Sequence, residues 1–355
     1  MNLTKEDLRA AVGTGTITEG QARGLIALAK ARSVVRDSVM KGDEPFEIFR
    51  GFNEIFVTVG LAIFFVGYSI FLDYNFFPEN LLITQDGGTR AGAVHTLVLS
   101  VVAIGIICLI TLYLTLRRMM VAPSILLASA TAYFAAWAGA ALAVLMINEV
   151  WVIPLLALVV LAAYWTWARI PYTLLLVSLA TLALIVAILW PEGTAPDFDD
   201  FFLLSADGPF AIVTLILGGA FFGVAMWFDQ SDPHRITRRT SHAFWLHVAA
   251  APMIVNPVAA TLFAMNTNGA EAILVLFVIA LAIIALVIDR RSFLLSGIGY
   301  IIALIVTVLD NSRAEALLGL GVILVTLGTM WENIRTAIMR RLPDFPGKSN
   351  LPPWA

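Results

Sequence analysis

Residues 272–309 read AILVLFVIALAIIALVI-DRR-SFLLSGIGYIIALIVTVL. Two apolar runs flank Asp289, Arg290 and Arg291. A helix rises about 1.5 Å per residue, so roughly 17–25 residues cover the hydrocarbon core of a bilayer, and each run meets that length. Charges at the bilayer centre cost several kcal/mol, so the three charged residues mark a turn at the membrane surface. The stretch therefore predicts a transmembrane helical hairpin, and the rest of the chain repeats its pattern.

Working outward, apolar runs occur at 54–72, 95–116, 123–147, 151–167, 172–190, 209–228, 243–265, 272–288, 292–309 and 314–331. These ten candidate spans leave eleven connecting or terminal segments. Taken alternately, six segments hold 20 of the 22 Lys+Arg, and the other five hold only Arg90 and Arg313. Cationic loops stay on the cytoplasmic side during insertion. Both termini are thus expected in the cytoplasm. The loop at 191–208 has five acids and no base, as expected of the opposite side. Trp151, Trp167, Trp190, Trp227 and Trp331 fall at span ends, where an amphipathic ring sits at headgroup level.

Composition agrees. Hydrophobic residues make up 60% of the 355 and charged residues 13%, against about a quarter charged in soluble domains. The mean hydropathy is +0.89. The expected fold is all-α: a polytopic transmembrane helix bundle of about ten spans with a small cytoplasmic N-terminal helical pair. Residues 1–45 form that helix-turn-helix-like segment, 46–335 the membrane domain, and 336–355 an extended cytoplasmic tail rich in proline. The first 41 residues lack the central apolar run of a secretory signal, so the first span is expected to act as an uncleaved insertion signal. Within the N-terminal segment, Thr18-Glu19-Gly20-Gln21 fits a capping box, and Gly13 and Gly15 break the chain before it. Small residues allow close helix packing in lipid, which nominates Gly219 with Gly223, Gly60 with Gly67, and Gly319, Gly321 and Gly328.

Candidate chemistry is sparse. No phosphate loop, nucleophile elbow, HExxH helix or paired His/Cys set occurs, and the lone cysteine, Cys108, excludes an internal disulfide. No enzymatic activity, metal or cofactor is expected. The span interiors hold no Lys or Arg, and no acid away from an end, which argues against ion-coupled transport. The richest tract is 229–257, DQSDPHRITRRTSHAFWLHVAAAPMIVNP. His247 and Asn256 lie inside the seventh span there. Pro252 and Pro257 lack an N–H, so the carbonyls of Val248 and Met253 lose their helical partners and a kink or unwound turn is expected. Broken helices often border substrate sites, which makes His247, Pro252, Asn256 and Pro257 the candidate binding residues. On an unbroken helix His247 and Asn256 point to opposite sides. The acids Asp197, Asp199 and Asp200, and the histidines His234, His242 and His247, lack metal-ligand spacing. The pairs Arg117-Arg118, Arg238-Arg239, Arg290-Arg291 and Arg340-Arg341 are expected to meet anionic lipids.

LTKEDLRAAVGTGTITEGQARGLIALA near the start resembles the N-terminal helical pair of uncharacterised bacterial polytopic inner-membrane proteins of the domain-of-unknown-function type. The tract from Asp232 through AFWLH and AAPMIVNP, DRRSFLLSGIGY at 289–300 and the closing LPPW are similar to a subset of that group. The position of Asn256 often carries histidine there. The resemblance implies a bacterial inner-membrane location and supplies no activity or functional residues.

Two functions follow as expectations. One is an uncoupled transporter or facilitator of a small uncharged or lipophilic solute, using the proline-broken seventh span. The other is a non-enzymatic membrane scaffold, assembly factor or envelope sensor, with a protein partner bound through residues 1–45. The mixed charges of that segment do not suit nucleic acid.

Overall fold

A computed structural model describes residues 11–12, 14–18, 20–21, 52–76, 87–147, 149–189, 202–204, 209–232, 237–265, 267–292, 302, 313–345 and 347–352. Every regular element among them is helical. In chain order these are α1 (Phe52–Phe76), α2 (Gly87–Thr111), α3 (Val121–Leu142), α4 (Val152–Ala168), α5 (Thr173–Leu189), α6 (Phe210–Gln230), α7 (Arg238–Ala264), α8 (Asn268–Ile288), α9 (Arg313–Thr329) and α10 (Trp331–Arg341). α2 and α3 each end in a π-helical turn, Leu112–Arg117 and Ala143–Ile147. Among the described residues, six helices are long and apolar enough to cross a membrane, or seven if α9 and α10, bent by 79° at Met330, form one span. α4 and α5 are apolar but shorter. The expected ninth span, the acidic loop with Asp197, Asp199 and Asp200, His234, Trp190 and most of the N-terminal pair lie outside the described residues.

Residues 1–45 and 46–355 are separate compact units. In the first, the capping box is formed: Gln21 N–H donates to Thr18 Oγ1 (3.3 Å) and Thr18 N–H to Gln21 Oε1 (2.9 Å). Gly15 takes the left-handed conformation at φ 72°. The turn ahead of the box therefore uses a residue with no Cβ penalty.

In the second unit, two groups of helices each have an apolar core. Phe65, Ile107, Leu127, Phe134 and Tyr164 form one, from α1 to α4. Val255, Leu274, Leu281, Ala285 and Trp331 form the other, from α7, α8 and α10. A smaller cluster of Leu174, Ala225 and Leu246 joins them. Beside it Tyr172 meets Trp245 edge-on at 4.8 Å and Trp165 meets His242 at 5.9 Å. These contacts bring the ends of α4, α6 and α8 and the starts of α5, α7 and α10 to one end of the unit, where the arginines gather. Elsewhere large apolar side chains face outward, among them Ile63, Leu109, Ile216, Leu276 and Val325. An apolar exterior of that extent suits lipid contact.

Several expectations change. α7 runs unbroken through Pro252 and Pro257, so the helix does not unwind. Close packing is the reason: a Cβ on Gly218 of α6 would lie 2.8 Å from Met253 Cβ and 2.9 Å from Ile254 Cγ1. α7 is thus held against α6 over the turn where proline removes a backbone bond. Gly218 and Gly139 pack closely, the latter's Cβ position lying 2.8 Å from Ile153 Cα. Gly60, Gly67, Gly219, Gly223, Gly319, Gly321 and Gly328 face open space instead. Trp331, expected at a span end, is buried against its neighbours. The tail is not simply extended either: α10 runs to Arg341, across the expected boundary at 335, and Lys348–Asn350 forms a 3-10 turn.

Candidate functional site

Asp229 is the penultimate residue of α6, where the apolar run ends. Two residues after the helix, Asp232 organises the connection to α7: its Oδ2 accepts from Thr237 N–H (2.8 Å), Thr237 Oγ1 (2.8 Å) and Thr240 Oγ1 (3.0 Å). Thr237 then caps α7 by accepting from Arg239 N–H at 3.2 Å. A β-hydroxyl acceptor at that place satisfies one of the free N–H groups of the first turn. With both helix ends fixed, the third turn of α7 places His247 beside Asp229.

The imidazole Nε2–H of His247 donates to Asp229 Oδ2 at 2.9 Å, and both side chains are almost fully enclosed, at 0% and 4% exposure. Phe222 meets the imidazole edge-on at 5.5 Å. Arg290 completes the cluster. Its Nε–H donates to the same Oδ2 at 3.0 Å, its Nη2–H to Asp229 Oδ1, and Nη2 also reaches Thr240 O at 3.1 Å. This two-pronged guanidinium–carboxylate fork is the strong form of an ion pair. Burying a charge is tolerable only when it is paired and hydrogen-bonded, and Asp229 has both provisions.

The turn after α8 aims Arg290 inward. Asp289 ends the helix at φ 57°, and Arg290 N–H donates to Ala285 O at 2.8 Å. Asp289 Oδ1 accepts the indole N–H of Trp331 at 2.6 Å. Arg291, next in sequence, sits 5.0 Å over the Trp331 ring. On α10, Arg335 donates from Nε to Leu286 O (3.1 Å) and from Nη2 to Pro352 O (2.6 Å), which folds the C-terminal segment back onto α8. The result is a polar clasp holding α6, α7, α8, α10 and the tail at one end.

Chemically, the clasp holds a hydrogen between a carboxylate and an imidazole while a guanidinium balances the acid's charge. Among the described residues, no group of three or more His, Cys, Asp or Glu is placed to hold a metal ion. Of the residues nominated from sequence, only His247 enters the cluster. Asn256 is half-buried nine positions further along a continuous helix, on the side away from His247. Pro257 is buried and Pro252 half-buried. The Pro257 carbonyl accepts from Thr261 Oγ1 at 2.6 Å, and Thr261 Oγ1 in turn accepts from Leu204 N–H at 2.8 Å.

Asp229 was not nominated from sequence, and Arg290, expected with Arg291 to meet anionic lipid, is instead buried on Asp229. A signal existed: an acid at the basic end of an apolar span, with arginines at neighbouring turns, needs a partner. The arginine pairs are also not uniform. Arg238 and Arg290 are buried, while Arg117, Arg118, Arg239, Arg291, Arg340 and Arg341 are exposed. A second buried acid, Glu54 on the first turn of α1, has 3% exposure, and its Oε2 has no hydrogen-bond partner among the described residues. No family model, no curated protein and no solved structure matches this chain.

Proposed function

We propose that the chain is a ten-span inner-membrane protein with both termini in the cytoplasm, and that it works as a non-enzymatic scaffold or assembly factor. The ten-span count rests on the alternation of Lys and Arg between connecting segments. Reporter fusions at Ala195 and Ile236 test it; the same compartment for both would refute the alternation. The likeness of the N-terminal segment and the 232–257 tract to bacterial inner-membrane proteins agrees with that location. In this reading residues 1–45 engage a protein partner from the cytoplasmic side.

One observation carries the scaffold reading. His247, on which a solute site in the seventh span would rest, is fully enclosed and bound to a carboxylate that Arg290 also grips. A clasp across α6, α7 and α8 opposes the opening of the basic end that alternating access requires. Spin labels at Thr166 and Ser231, with Cys108 replaced by Ala, report the separation of the two helix groups. A scaffold gives one narrow distance in lipid at every pH between about 5 and 8, the range in which an ordinary histidine changes charge. Two populations that exchange with pH would favour a carrier.

The carrier is the second reading, favoured by one feature: buried ionisable groups in a membrane protein mark ion or solute pathways by default. It predicts flux of a small uncharged solute into proteoliposomes that Asp229→Asn or His247→Ala abolishes.

A further inference from the structure

Three arginines at the basic end are mounted alike. Arg118 lies 5.5 Å from the centre of the Tyr113 ring, Arg169 5.0 Å from that of Trp165, and Arg291 5.0 Å from that of Trp331. Each follows the last turn of an apolar helix, and each is exposed. A ring beneath the guanidinium covers one face of the cation and leaves its N–H edge for a planar acceptor.

The three differ in how much of that edge is already used. Arg118 donates twice to Tyr113 Oη, at 3.3 and 3.0 Å, and Arg169 once to Thr166 O at 3.1 Å. Arg291 makes no hydrogen bond or ion pair with the described residues. Its neighbours are committed elsewhere, Arg290 to Asp229 and Asp289 to the indole of Trp331. The charge of Arg291 is thus held in place on a buried, hydrogen-bonded ring. On the last three turns of α8, the helix that leads to it, Ile279, Ile283 and Ile284 are exposed, at 51%, 44% and 42%. A ligand with an anionic head and apolar chains matches both surfaces.

We propose that Arg291, stacked on Trp331, binds the phosphate of an anionic phospholipid whose acyl chains lie along α8. The proposal rests on the membrane reading above. The Arg118–Tyr113 and Arg169–Trp165 pairs are weaker versions of the same site, because part of their donor edge is taken. A phosphate accepts the guanidinium fork bidentately, whereas a zwitterionic headgroup carries its own cation to compete.

Native mass spectrometry of the detergent-purified full chain, titrated with phosphatidylglycerol or phosphatidylcholine, tests this. The wild type retains phosphatidylglycerol in preference. Arg291→Gln weakens that binding about fivefold, the factor one guanidinium near an anionic surface contributes. Arg291→Lys, which keeps charge but loses fork and stack, falls between them, and Arg340→Gln stays close to wild type. Excess inorganic phosphate leaves the lipid bound, because the acyl chains contribute too. Equal affinity in Arg291→Gln and wild type, or displacement by inorganic phosphate, overturns the site. Unchanged thermal unfolding of the Lys variant shows that the fold is intact. Alkaline carbonate extraction reads insertion independently: an inserted protein indifferent to Arg291 refutes the site and leaves the membrane reading standing.

Discussion

Gly218 and Met253 pack so closely that a methyl group on the former would come within 2.8 Å of the latter's Cβ. This contact seats α7 on α6 just past Pro252. Gly218→Leu should therefore lower stability by about 1–3 kcal/mol, the usual cost of overpacking a tight core. Gly219→Leu, one position on and facing open space, should change little. Thermal unfolding in detergent, followed by tryptophan fluorescence, separates the two; equal effects would mean the contact is not specific.

The clasp makes a thermodynamic prediction. Removing one member of a buried ion pair strands the other, at a cost of about 3–5 kcal/mol. Asp229→Ala and Arg290→Ala should each destabilise by that order. The double variant should lose markedly less than their sum, because no charge is left stranded. A strictly additive double-mutant cycle would show that the two side chains do not share one interaction.

At the end of α8, Asp289 combines a left-handed backbone with an acceptor for Trp331. Asn tolerates that conformation and retains an acceptor oxygen. Asp289→Asn should be nearly neutral. Asp289→Val, β-branched and without an acceptor, should lose the hydrogen bond and strain the turn, costing about 2 kcal/mol or more. Chemical denaturation ranks the two, and a Val variant as stable as wild type would remove any role for this turn.

α7 stays helical through both of its prolines. Pro257→Ala restores an N–H for the Met253 carbonyl and should leave stability unchanged or raise it by about 1 kcal/mol. A large loss in the melting midpoint would show that proline shapes the helix in a way the backbone path does not reveal.

Helix identity was legible from sequence because runs of apolar residues bounded by charges need no finer pattern. The capping box at Thr18–Gln21 and the turn at Asp289 were legible for local reasons: their hydrogen bonds lie within a few residues. Helix orientation was not. A helix apolar on every side has no stripe separating core from lipid, so nothing in the spacing of Gly218, Gly219 and Gly223 says which one packs. The same difficulty hid the clasp. Arg290 and Arg291 are identical in composition and differ only because a left-handed residue before them turns one inward. His247 was found because a polar residue inside an apolar run is conspicuous. Asp229 was passed over because it closes such a run.

The clasp also imposes an order on biogenesis. Arg290 follows Asp229 by 61 residues, so the acid enters its helix end before the cation has been synthesised. Until Arg290 arrives, the nascent protein carries that carboxylate without its guanidinium partner. A chain truncated ahead of residue 290 keeps that lone charge permanently.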